Sequence, residues 1–230
     1  MQKGFWDNEI SDGHEKVRGA RIMSHPENSG GSDMPYPPLF PIVVYQTLAR
    51  QITEGRKVRC GLCLDIGSGV GMLGIEIAKI AQLEVILLDT EKNLLMGGLK
   101  NAEHFRVRER VSAIQADVHN LPFKPNSLNL IVSRGSIPFW KDRIKAFKEI
   151  YRVLAANGVA FIGGGLPKNL PEKLRKDLEK RIRDFFSGPG GRGYSPPERW
   201  RLHDWLIKAG ISQFKIIEGC PGRWVEIIKS

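Results

Sequence analysis

The residues best suited to chemistry gather around a glycine cluster, Gly67, Gly69 and Gly71, which follows the apolar run Leu62–Ile66. Glycine tolerates positive φ and has no Cβ to hold a ligand away from the backbone. Such a cluster between a strand and a helix favours a nucleotide-like ligand at the start of the helix. Asp65, just before the cluster, would lie close to a bound phosphate. Its carboxylate therefore suits a ligand with a cationic amino-acid end and no phosphates.

The same stretch also offers an alternative ligand, because the residues from Gly69 to Gly74 read G-V-G-M-L-G and match the dinucleotide-binding fingerprint. The register argues against a dinucleotide. The apolar run ends near Ile66, which leaves Gly67 and Ser68 already in the turn. We therefore prefer a ligand without phosphates to a nicotinamide cofactor.

A second carboxylate, Asp89, ends the apolar run Leu83–Leu88. It follows Gly69 by roughly the 20 residues at which an acidic side chain meets the ribose hydroxyls of a bound nucleotide. The alternative is that Asp89 caps the helix that follows it. The spacing favours ribose binding, with Thr90 next in the chain and Leu94 placed to pack near an adenine.

Three segments resemble motifs of one family. Residues 65–71, which read Asp-x-Gly-x-Gly-x-Gly, resemble the first motif of class I S-adenosylmethionine-dependent methyltransferases. Residues 117–123, DVHNLPF, resemble the Asp-x-x-x-Leu-Pro-Phe loop in relatives of the ubiquinone and menaquinone C-methyltransferases, the group with the methyltransferase type 11 domain. Residues 147–165 resemble the E-x-x-R-V-L-x-P-G-G segment, with Ala156 and Asn157 replacing the proline and first glycine. The resemblance covers roughly residues 36–165.

The resemblance implies S-adenosyl-L-methionine as cofactor and S-adenosyl-L-homocysteine as product. From the residues alone, Asp117 belongs to a turn. In the family, the matching aspartate accepts a hydrogen bond from the adenine amine, and the next backbone N–H reaches a ring nitrogen. No metal site is predicted. The predicted cofactor-binding residues are Asp65, Gly67, Ser68, Gly69, Gly71, Asp89, Thr90, Leu94, Asp117, Val118 and Ser133.

The acceptor side is predicted from the segment after the fourth apolar run, where residues 134–140 read RGSIPFW. Hydroxyls and a guanidinium beside a flexible glycine suit an anionic acceptor. The alternative for Arg134 is a structural, salt-bridged arginine. The segment lacks the Asn/Asp-Pro-Pro-Tyr/Phe motif of relatives that methylate nucleic-acid amines. The predicted acceptor-binding residues are Arg134, Ser136, Phe139 and Trp140, with Tyr36 and a mouth formed by Gly163–Gly165 opposite them.

Methyl transfer from a sulfonium is an in-line displacement, so the protein mainly supplies positioning and the exclusion of water. A general base is needed only where the acceptor must lose a proton. His119 and Tyr36 are the candidates for that base, and the catalytic residues are otherwise unknown. Two alternatives to a small-molecule methyltransferase stay open. One is a methyltransferase for RNA or protein, and the other is a non-catalytic module that binds a nucleotide cofactor.

The apolar runs, the helical spacing between them and the resemblance predict an α/β fold. We expect a Rossmann-like doubly wound sheet of seven strands with helices on both faces. The runs Ile211–Glu218 and Trp224–Ile228 predict a closing hairpin, which makes the last strand antiparallel. Residues 1–35, polar and glycine-rich, are predicted to be an N-terminal arm or lid. Residues 36–230 form one methyltransferase domain, with a cofactor half, 36–135, and an acceptor half, 136–230.

The composition is that of an ordinary globular protein, with 41% hydrophobic and 26% charged residues. The net charge is +10, of which residues 1–35 contribute −2 and the rest of the chain contributes +12, spread along its length. The charge permits nucleic acid as a partner, but no cluster of basic residues favours it. No apolar run reaches the roughly 18 residues that cross a bilayer, and the first residues lack the apolar centre of a signal peptide. We therefore expect a cytoplasmic protein with a small-molecule acceptor and an unknown oligomeric state.

Overall fold

The computed structural model describes residues 34–36, 38–54, 58, 60–188, 196, 199–219 and 222–230. By internal contacts the chain divides into two units, residues 1–31 and 32–230, and the described residues all belong to the second unit. The predicted N-terminal arm, apart from Met34 and Pro35, therefore lies outside the described residues.

A single sheet of seven strands runs through the described residues. The strands are β1 (Cys60–Ile66), β2 (Gln82–Asp89), β3 (Val111–Gln115), β4 (Leu128–Arg134), β5 (Leu154–Gly165), β6 (Phe214–Gly219) and β7 (Gly222–Ile228). Their order across the sheet is β3-β2-β1-β4-β5-β7-β6. Neighbouring strands are parallel except β7, which runs antiparallel to both β5 and β6. The predicted Rossmann-like sheet with an antiparallel last strand is confirmed.

Six α-helices accompany the sheet in the described part of the chain. They are α1 (Ile42–Glu54), α2 (Met72–Ile80), α3 (Lys92–His104), α4 (Arg143–Val153), α5 (Glu172–Ser187) and α6 (Leu202–Lys208). Short 3₁₀ helices occupy Arg108–Arg110 and Ile137–Phe139. No helix among the described residues is long and apolar enough to cross a membrane.

The two faces of the sheet carry separate hydrophobic clusters, because successive strand residues point to opposite faces. In β1, Cys63 belongs to a first cluster that includes residues of α1, α2 and α3. Its neighbour Leu64 belongs to a second cluster that includes residues of α4 and α6. Asp65 shares the face of Cys63 and therefore points towards α2. The strand order reverses between β1 and β4, and open α/β sheets bind ligands at such a point.

The connection from α4 to β5 explains how the chain replaces a glycine of the family motif. The pairing of β5 with β4 shifts between Leu154 and Val159, and Asn157 in this irregular stretch has a φ of 60°. Asparagine adopts the left-handed region more readily than other residues with a Cβ. Asn157 can therefore hold the conformation that the motif's glycine would supply.

Candidate functional site

The turn of residues 67–71, the glycine turn, connects β1 to α2 and is anchored on the end of β2. The N–H groups of Gly67 and Ser68 both donate to the Leu88 carbonyl, at 2.8 and 3.0 Å. All three motif glycines have φ in the left-handed region, which favours glycine. The values are 64° for Gly67, 54° for Gly69 and 78° for Gly71.

The three glycines face different surroundings. A Cβ on Gly67 would lie 2.4 Å from the Cβ of Ser136, and one on Gly71 would lie 2.7 Å from a methyl group of Leu87. A Cβ on Gly69 would meet no atom of the described residues within 4 Å. Gly67 and Gly71 therefore serve close packing. Gly69 borders open space, from which a ligand can approach the backbone.

The carboxylate of Asp89 joins the glycine turn to the start of α3. Its Oδ2 accepts a hydrogen bond from the Gly69 N–H at 2.9 Å, and its Oδ1 accepts one from the Glu91 N–H at 3.1 Å. Asp89 thus reaches both the turn and the residue that precedes α3. The N-cap of α3 is Glu91 and not Asp89, contrary to the capping alternative. A carboxylate has about four lone-pair sites. Each oxygen can therefore still accept a further hydrogen bond from a hydroxyl group of a ligand.

Asp65 is buried, at 2% exposure, and its Oδ2 accepts a hydrogen bond from the Gly74 N–H at 2.9 Å. Gly74 is the third residue of α2, so Asp65 satisfies one of the free N–H groups of that helix from the strand beneath it. Burial is the main cause that raises the pKa of this carboxyl to about 7. The Gly74 N–H opposes that rise, and Asp89 adds to it. Asp65 thus binds the N-terminus of α2 through the Gly74 N–H. Its contact with a cationic group of a ligand stays a prediction.

The loop after β3 joins Asp117 to His119. Oδ1 of Asp117 accepts hydrogen bonds from the His119 backbone N–H, at 2.8 Å, and from His119 Nδ1. These bonds, the backbone one foremost, hold the pKa of Asp117 below its usual range. His119 Nε2 accepts a hydrogen bond from the Asp142 N–H at 3.0 Å. Both ring nitrogens are therefore engaged, and this geometry is contrary to the prediction that His119 is a general base.

Three further residues of the predicted cofactor set are Leu94, Val118 and Thr90. Leu94, on the first turn of α3, is 37% exposed and can cover a ligand. The side chain of Val118 is buried in the second core cluster, so only its backbone is available to a ligand. Thr90 is exposed, and its carbonyl accepts a hydrogen bond from Gln115 Nε2 at 2.9 Å.

Ser133 and Ser136 form a buried pair at the end of β4. Their hydroxyl oxygens lie 2.5 Å apart. Ser136 also packs against Gly67, as the short distance from a Cβ on that glycine shows. The pair thus joins β4 to the glycine turn. A contact of Ser136 with the acceptor stays a prediction.

The rest of the segment after β4 divides between core and surface. Trp140 is buried and packs edge-on against Phe147 of α4, with ring centroids 5.6 Å apart. Phe139, by contrast, is 64% exposed. Of the two aromatic residues predicted for the acceptor site, Phe139 is thus exposed to solvent, and the prediction for Trp140 is corrected to a core residue.

Tyr36 lies against α3, held through a residue that the sequence analysis missed. Asn101, fully buried, accepts from the Tyr36 N–H at 3.2 Å and donates to the Tyr36 carbonyl at 2.9 Å. Its Nδ2 also donates to the Val70 carbonyl in the glycine turn at 3.1 Å. The Tyr36 ring packs beside Gly97, where a Cβ would lie 3.0 Å from the ring. Tyr36 therefore lies over α3, and its contact with an acceptor stays a prediction.

A signal for Asn101 was present in the sequence. It is a polar residue on the buried stripe of an amphipathic helix, next to Ala102 and three residues after Gly98. A buried polar side chain in such a stripe requires hydrogen-bond partners. The pattern could therefore have indicated a structural contact, although it could not have named Tyr36 or Val70.

The three consecutive glycines predicted to form a mouth lie within the sheet. β5 pairs with β7 as far as Gly165 and Gly222. A Cβ on Gly163 would lie 2.4 Å from the Arg223 carbonyl oxygen and 2.7 Å from the Trp224 Cα. Gly163 is therefore needed for close packing against β7, and the prediction of an open mouth at this point is corrected.

The guanidinium of Arg134 lies between two aromatic rings at the end of β4. Its Cζ is 4.2 Å from the ring centroid of Phe40 and 5.3 Å from that of Tyr45. One Nη donates to the Gly165 carbonyl at 3.2 Å, whereas the buried Nε has no hydrogen-bond partner among the described residues. Burial lowers the pKa of Arg134. Within the described residues no carboxylate forms a salt bridge with it, contrary to the structural alternative considered from the sequence.

Comparisons with known proteins identify the family. A family model described as a methyltransferase domain matches residues 64–162. A solved structure of a candidate S-adenosyl-L-methionine-dependent methyltransferase from Methanococcus maripaludis is 35% identical, with a TM-score of 0.73. That match covers 82% of this chain and 86% of the other. The chain therefore belongs to the S-adenosyl-L-methionine-dependent methyltransferases, as the motifs predicted, and its strand order is that of class I.

Curated relatives match over a shorter span. 2-Methyl-6-phytyl-1,4-hydroquinone methyltransferase 1 of Oryza sativa subsp. japonica is 33% identical over 155 residues, which are 66% of this chain and 42% of the relative. The ubiquinone/menaquinone biosynthesis C-methyltransferase of Blochmanniella floridana is 33% identical over 114 residues, 49% of this chain and 43% of the relative. The chain thus spans less than half the length of these relatives. A methyltransferase from Aquifex aeolicus shares the fold, with a TM-score of 0.62 at 15% identity over 83% of this chain and 94% of that one.

One observation tests whether the glycine turn fits the cofactor of this family. The hydroxyl of Ser68 is buried and has no hydrogen-bond partner among the described residues. The next residue, Gly69, borders open space. A buried hydroxyl without a partner costs free energy, which a polar group of a bound ligand would recover. The turn therefore fits the polar amino-acid end of S-adenosyl-L-methionine.

Proposed function

We propose that this chain transfers a methyl group from S-adenosyl-L-methionine to a small-molecule acceptor by in-line displacement. The observation that carries the proposal is the glycine turn, where Gly69 borders open space and donates to Asp89. In the same turn the buried hydroxyl of Ser68 has no hydrogen-bond partner among the described residues. The curated relatives named as hydroquinone and ubiquinone/menaquinone methyltransferases support a small-molecule acceptor.

In this proposal the backbone of the glycine turn holds the amino-acid end of the cofactor, and Asp89 accepts hydrogen bonds from the ribose hydroxyls. Asp117 accepts one from the adenine amine, the Val118 N–H donates to an adenine ring nitrogen, and Leu94 covers the ring. The sulfonium supplies a methyl group and leaves as a neutral thioether. The contribution of the chain is to orient the two reactants and to exclude water.

The proposal includes no general base. His119 has both ring nitrogens engaged, and Tyr36 lies over α3. The arrangement suits an acceptor whose nucleophilic atom already carries an available electron pair, because proton removal before attack is then unnecessary.

We further propose that Arg134 binds an anionic or polar group of the acceptor. The support is a guanidinium that has a buried, unpartnered Nε and no carboxylate partner in the described part of the chain. Burying a cation without a counter-charge is costly, so an anionic ligand group would stabilise this arrangement. Phe40 and Tyr45 lie within cation–π distance of the guanidinium and would help to hold it in place for the ligand. Exposed Phe139 offers an apolar surface for the body of the acceptor.

Titration calorimetry tests the cofactor assignment. S-adenosyl-L-homocysteine and NAD are each titrated into the full chain under the same conditions. We expect S-adenosyl-L-homocysteine to bind and NAD to bind far more weakly. Tighter binding of NAD would overturn the proposal in favour of the dinucleotide alternative.

A transfer assay tests the acceptor class. Cofactor labelled with tritium in its methyl group is incubated with the chain and fractionated cell extract, with and without ribonuclease or protease. We expect label in the low-molecular-mass fraction, unchanged by either enzyme. Label that disappears with ribonuclease would point to RNA, and label retained in protein would point to a protein acceptor. The cytoplasmic location stays a prediction, which fractionation of the source cells would test.

A further inference from the structure

His119 forms a hydrogen-bonded bridge between two loops at the carboxyl edge of the sheet. On one side its backbone N–H and Nδ1 contact Oδ1 of Asp117, in the loop after β3. On the other side Nε2 accepts a hydrogen bond from the Asp142 N–H at 3.0 Å, in the segment between β4 and α4. The bridge thus connects the carboxylate that we place at the adenine with the segment that we place beside the acceptor.

The chemistry of the ring determines the direction of both bonds. A backbone N–H can only donate, so Nε2 must be the unprotonated nitrogen, and in the neutral ring Nδ1 then carries the hydrogen. Nδ1 therefore donates to Asp117. Both donors reach the same oxygen of Asp117, and within the described residues its Oδ2 accepts no protein hydrogen bond. The bridge thus orients the carboxylate and leaves one oxygen for a ligand amine.

The segment between β4 and α4, residues 135–142, is attached to the cofactor side at both of its ends. Near its start, Ser136 packs against Gly67 of the glycine turn. At its end, Asp142 is the N-cap of α4, with its carboxylate accepting from the Lys145 N–H at 2.9 Å and its own N–H donating to His119. A ligand that orders Asp117 and the glycine turn would therefore restrain this segment from both ends.

We infer that His119 is a positioning residue that couples cofactor binding at Asp117 to the order of residues 135–142. The inference rests on the proposed function, because it takes Asp117 as an adenine-binding residue. It gives His119 a role other than proton transfer. A merely structural role would predict equal loss of stability and equal loss of binding for any substitution of the ring.

Two substitutions separate the two side-chain hydrogen bonds of the bridge, the bond of Nδ1 to Asp117 and the bond of Nε2 to Asp142. In His119→Asn the amide can replace Nδ1 and keep the bond to Asp117, but it cannot reach Asp142. In His119→Gln the longer side chain can place its carbonyl where Nε2 lies and keep the bond from Asp142, at the expense of the bond to Asp117. Lys124→Ala is the matched control, because this exposed side chain lies on the same loop and its ammonium contacts none of the described residues.

Each variant is examined by calorimetry with S-adenosyl-L-homocysteine and by amide hydrogen exchange of residues 135–142 with and without that ligand. Thermal unfolding confirms that each is folded. In the unsubstituted chain and in Lys124→Ala, we expect the ligand to slow exchange in this segment, including at the Asp142 N–H. In His119→Asn we expect affinity within about twofold but loss of the slowing. In His119→Gln we expect affinity to fall roughly three- to tenfold, as for a lost hydrogen bond, with the slowing retained at saturation.

The outcomes separate the inference from the proposed function. If the unsubstituted chain does not bind S-adenosyl-L-homocysteine, the proposed function fails. If it binds but residues 135–142 exchange equally fast with and without ligand, or if His119→Asn keeps the full slowing, the coupling is overturned while the function stands. Equal loss of affinity in both variants would also overturn it, in favour of a structural role. Should one variant fail to fold, the other decides alone.

Discussion

Asp65 and Asp89 stand at the ends of neighbouring strands, yet their surroundings give them different properties. Asp65 is enclosed beneath α2 and has one hydrogen-bond donor, so burial raises its pKa to about 7. Asp89 lies nearer the surface, and each of its oxygens accepts a backbone N–H. The first is therefore suited to holding a helix over the sheet, and the second to binding hydroxyls of a ligand.

Substitution Asp65→Asn should stabilise the chain more at high pH than at low pH. The unfolded carboxyl ionises near 3.8, whereas the folded one keeps its proton until about pH 7. The contribution of the Asp65 carboxyl to the free energy of unfolding therefore falls as pH rises from 3.8 to about 7, and it does not change further above pH 7. An asparagine at position 65 keeps an oxygen that accepts the hydrogen bond from the Gly74 N–H, but it cannot become charged. We expect the gain in unfolding free energy to grow by roughly 2–3 kcal/mol between pH 5 and pH 8, measured by urea unfolding. The exposed control Glu103→Gln should show no such trend, and an equal trend in both would refute the assignment to Asp65.

Substitution Asp89→Ala should weaken binding of S-adenosyl-L-homocysteine by about 1.5–3 kcal/mol, the range for hydrogen bonds to a charged group. Because Asp89 also holds Gly69 and Glu91, the unfolding free energy should fall as well, by about 1 kcal/mol. Calorimetry and urea unfolding measure the two effects. Glu91→Gln, which changes an adjacent exposed carboxylate, should leave both unchanged. Full affinity in the alanine variant would show that Asp89 acts only on the helix.

Substitution Arg134→Ala should lower kcat/KM for the acceptor found in the transfer assay by roughly ten- to a hundredfold, about 1.4–2.7 kcal/mol. Affinity for S-adenosyl-L-homocysteine should stay nearly unchanged. Arg134→Lys keeps the charge but not the flat guanidinium between Phe40 and Tyr45, so we expect it to recover only part of the loss. Loss of cofactor binding or of the folded state in both variants would instead make Arg134 structural.

At the scale of the element, the glycine turn shows how one motif divides between packing and binding. Gly67 packs against Ser136, which follows β4 in the chain, whereas Gly69 borders open space next to Asp89. A side chain at the first position disturbs the contact between two structural elements. A side chain at the second occupies the space proposed for the ligand.

Alanine substitutions at Gly67 and Gly69 should therefore have different effects on stability and on ligand affinity. Gly67→Ala should lower the unfolding free energy by about 2–4 kcal/mol, from the positive φ together with the clash at Ser136. Adding Ser136→Gly should recover part of that loss. Gly69→Ala meets no such clash and should cost only about 1–2 kcal/mol of stability for its φ. Its main effect should be weaker binding of S-adenosyl-L-homocysteine by calorimetry. The same loss of stability and affinity in both alanine variants would contradict this division.

At the scale of the whole molecule, the net charge of +10 raises the question of a nucleic-acid substrate. A protein that contacts 6–10 phosphates loses about 10³–10⁵ in affinity between 50 and 200 mM salt. For a small acceptor bound at Arg134, we expect kcat/KM to change by less than about tenfold over this range, because one charge pair is involved. Initial rates at four salt concentrations measure the slope. A loss of a thousandfold or more would make the charge of the whole molecule the substrate determinant.

The sequence by itself determined the strands and the glycine turn, because these depend on local patterns, and its motifs determined the family. Apolar runs of strand length, helical spacing and glycine at positions of positive φ are properties of neighbouring residues, and they placed β1, α2 and β2 correctly. The position of Asp89 at the end of β2 followed from the same patterns. Each of these features depends on backbone conformation over a few residues, so a single sequence is enough to predict it.

Only the tertiary structure decided which side chains meet across the sheet edge. In the folded chain Asn101 forms hydrogen bonds with Tyr36, and the Arg134 guanidinium contacts the rings of Phe40 and Tyr45. His119 accepts a hydrogen bond from the Asp142 N–H. The tertiary structure also buries Trp140 and Ser136, which the sequence analysis had placed beside the acceptor. These contacts join residues far apart in the chain, and they depend on strand order, on register and on the face to which each residue points. A shift of one residue in a strand reverses that face, which is why residue types and spacing alone could not select these partners.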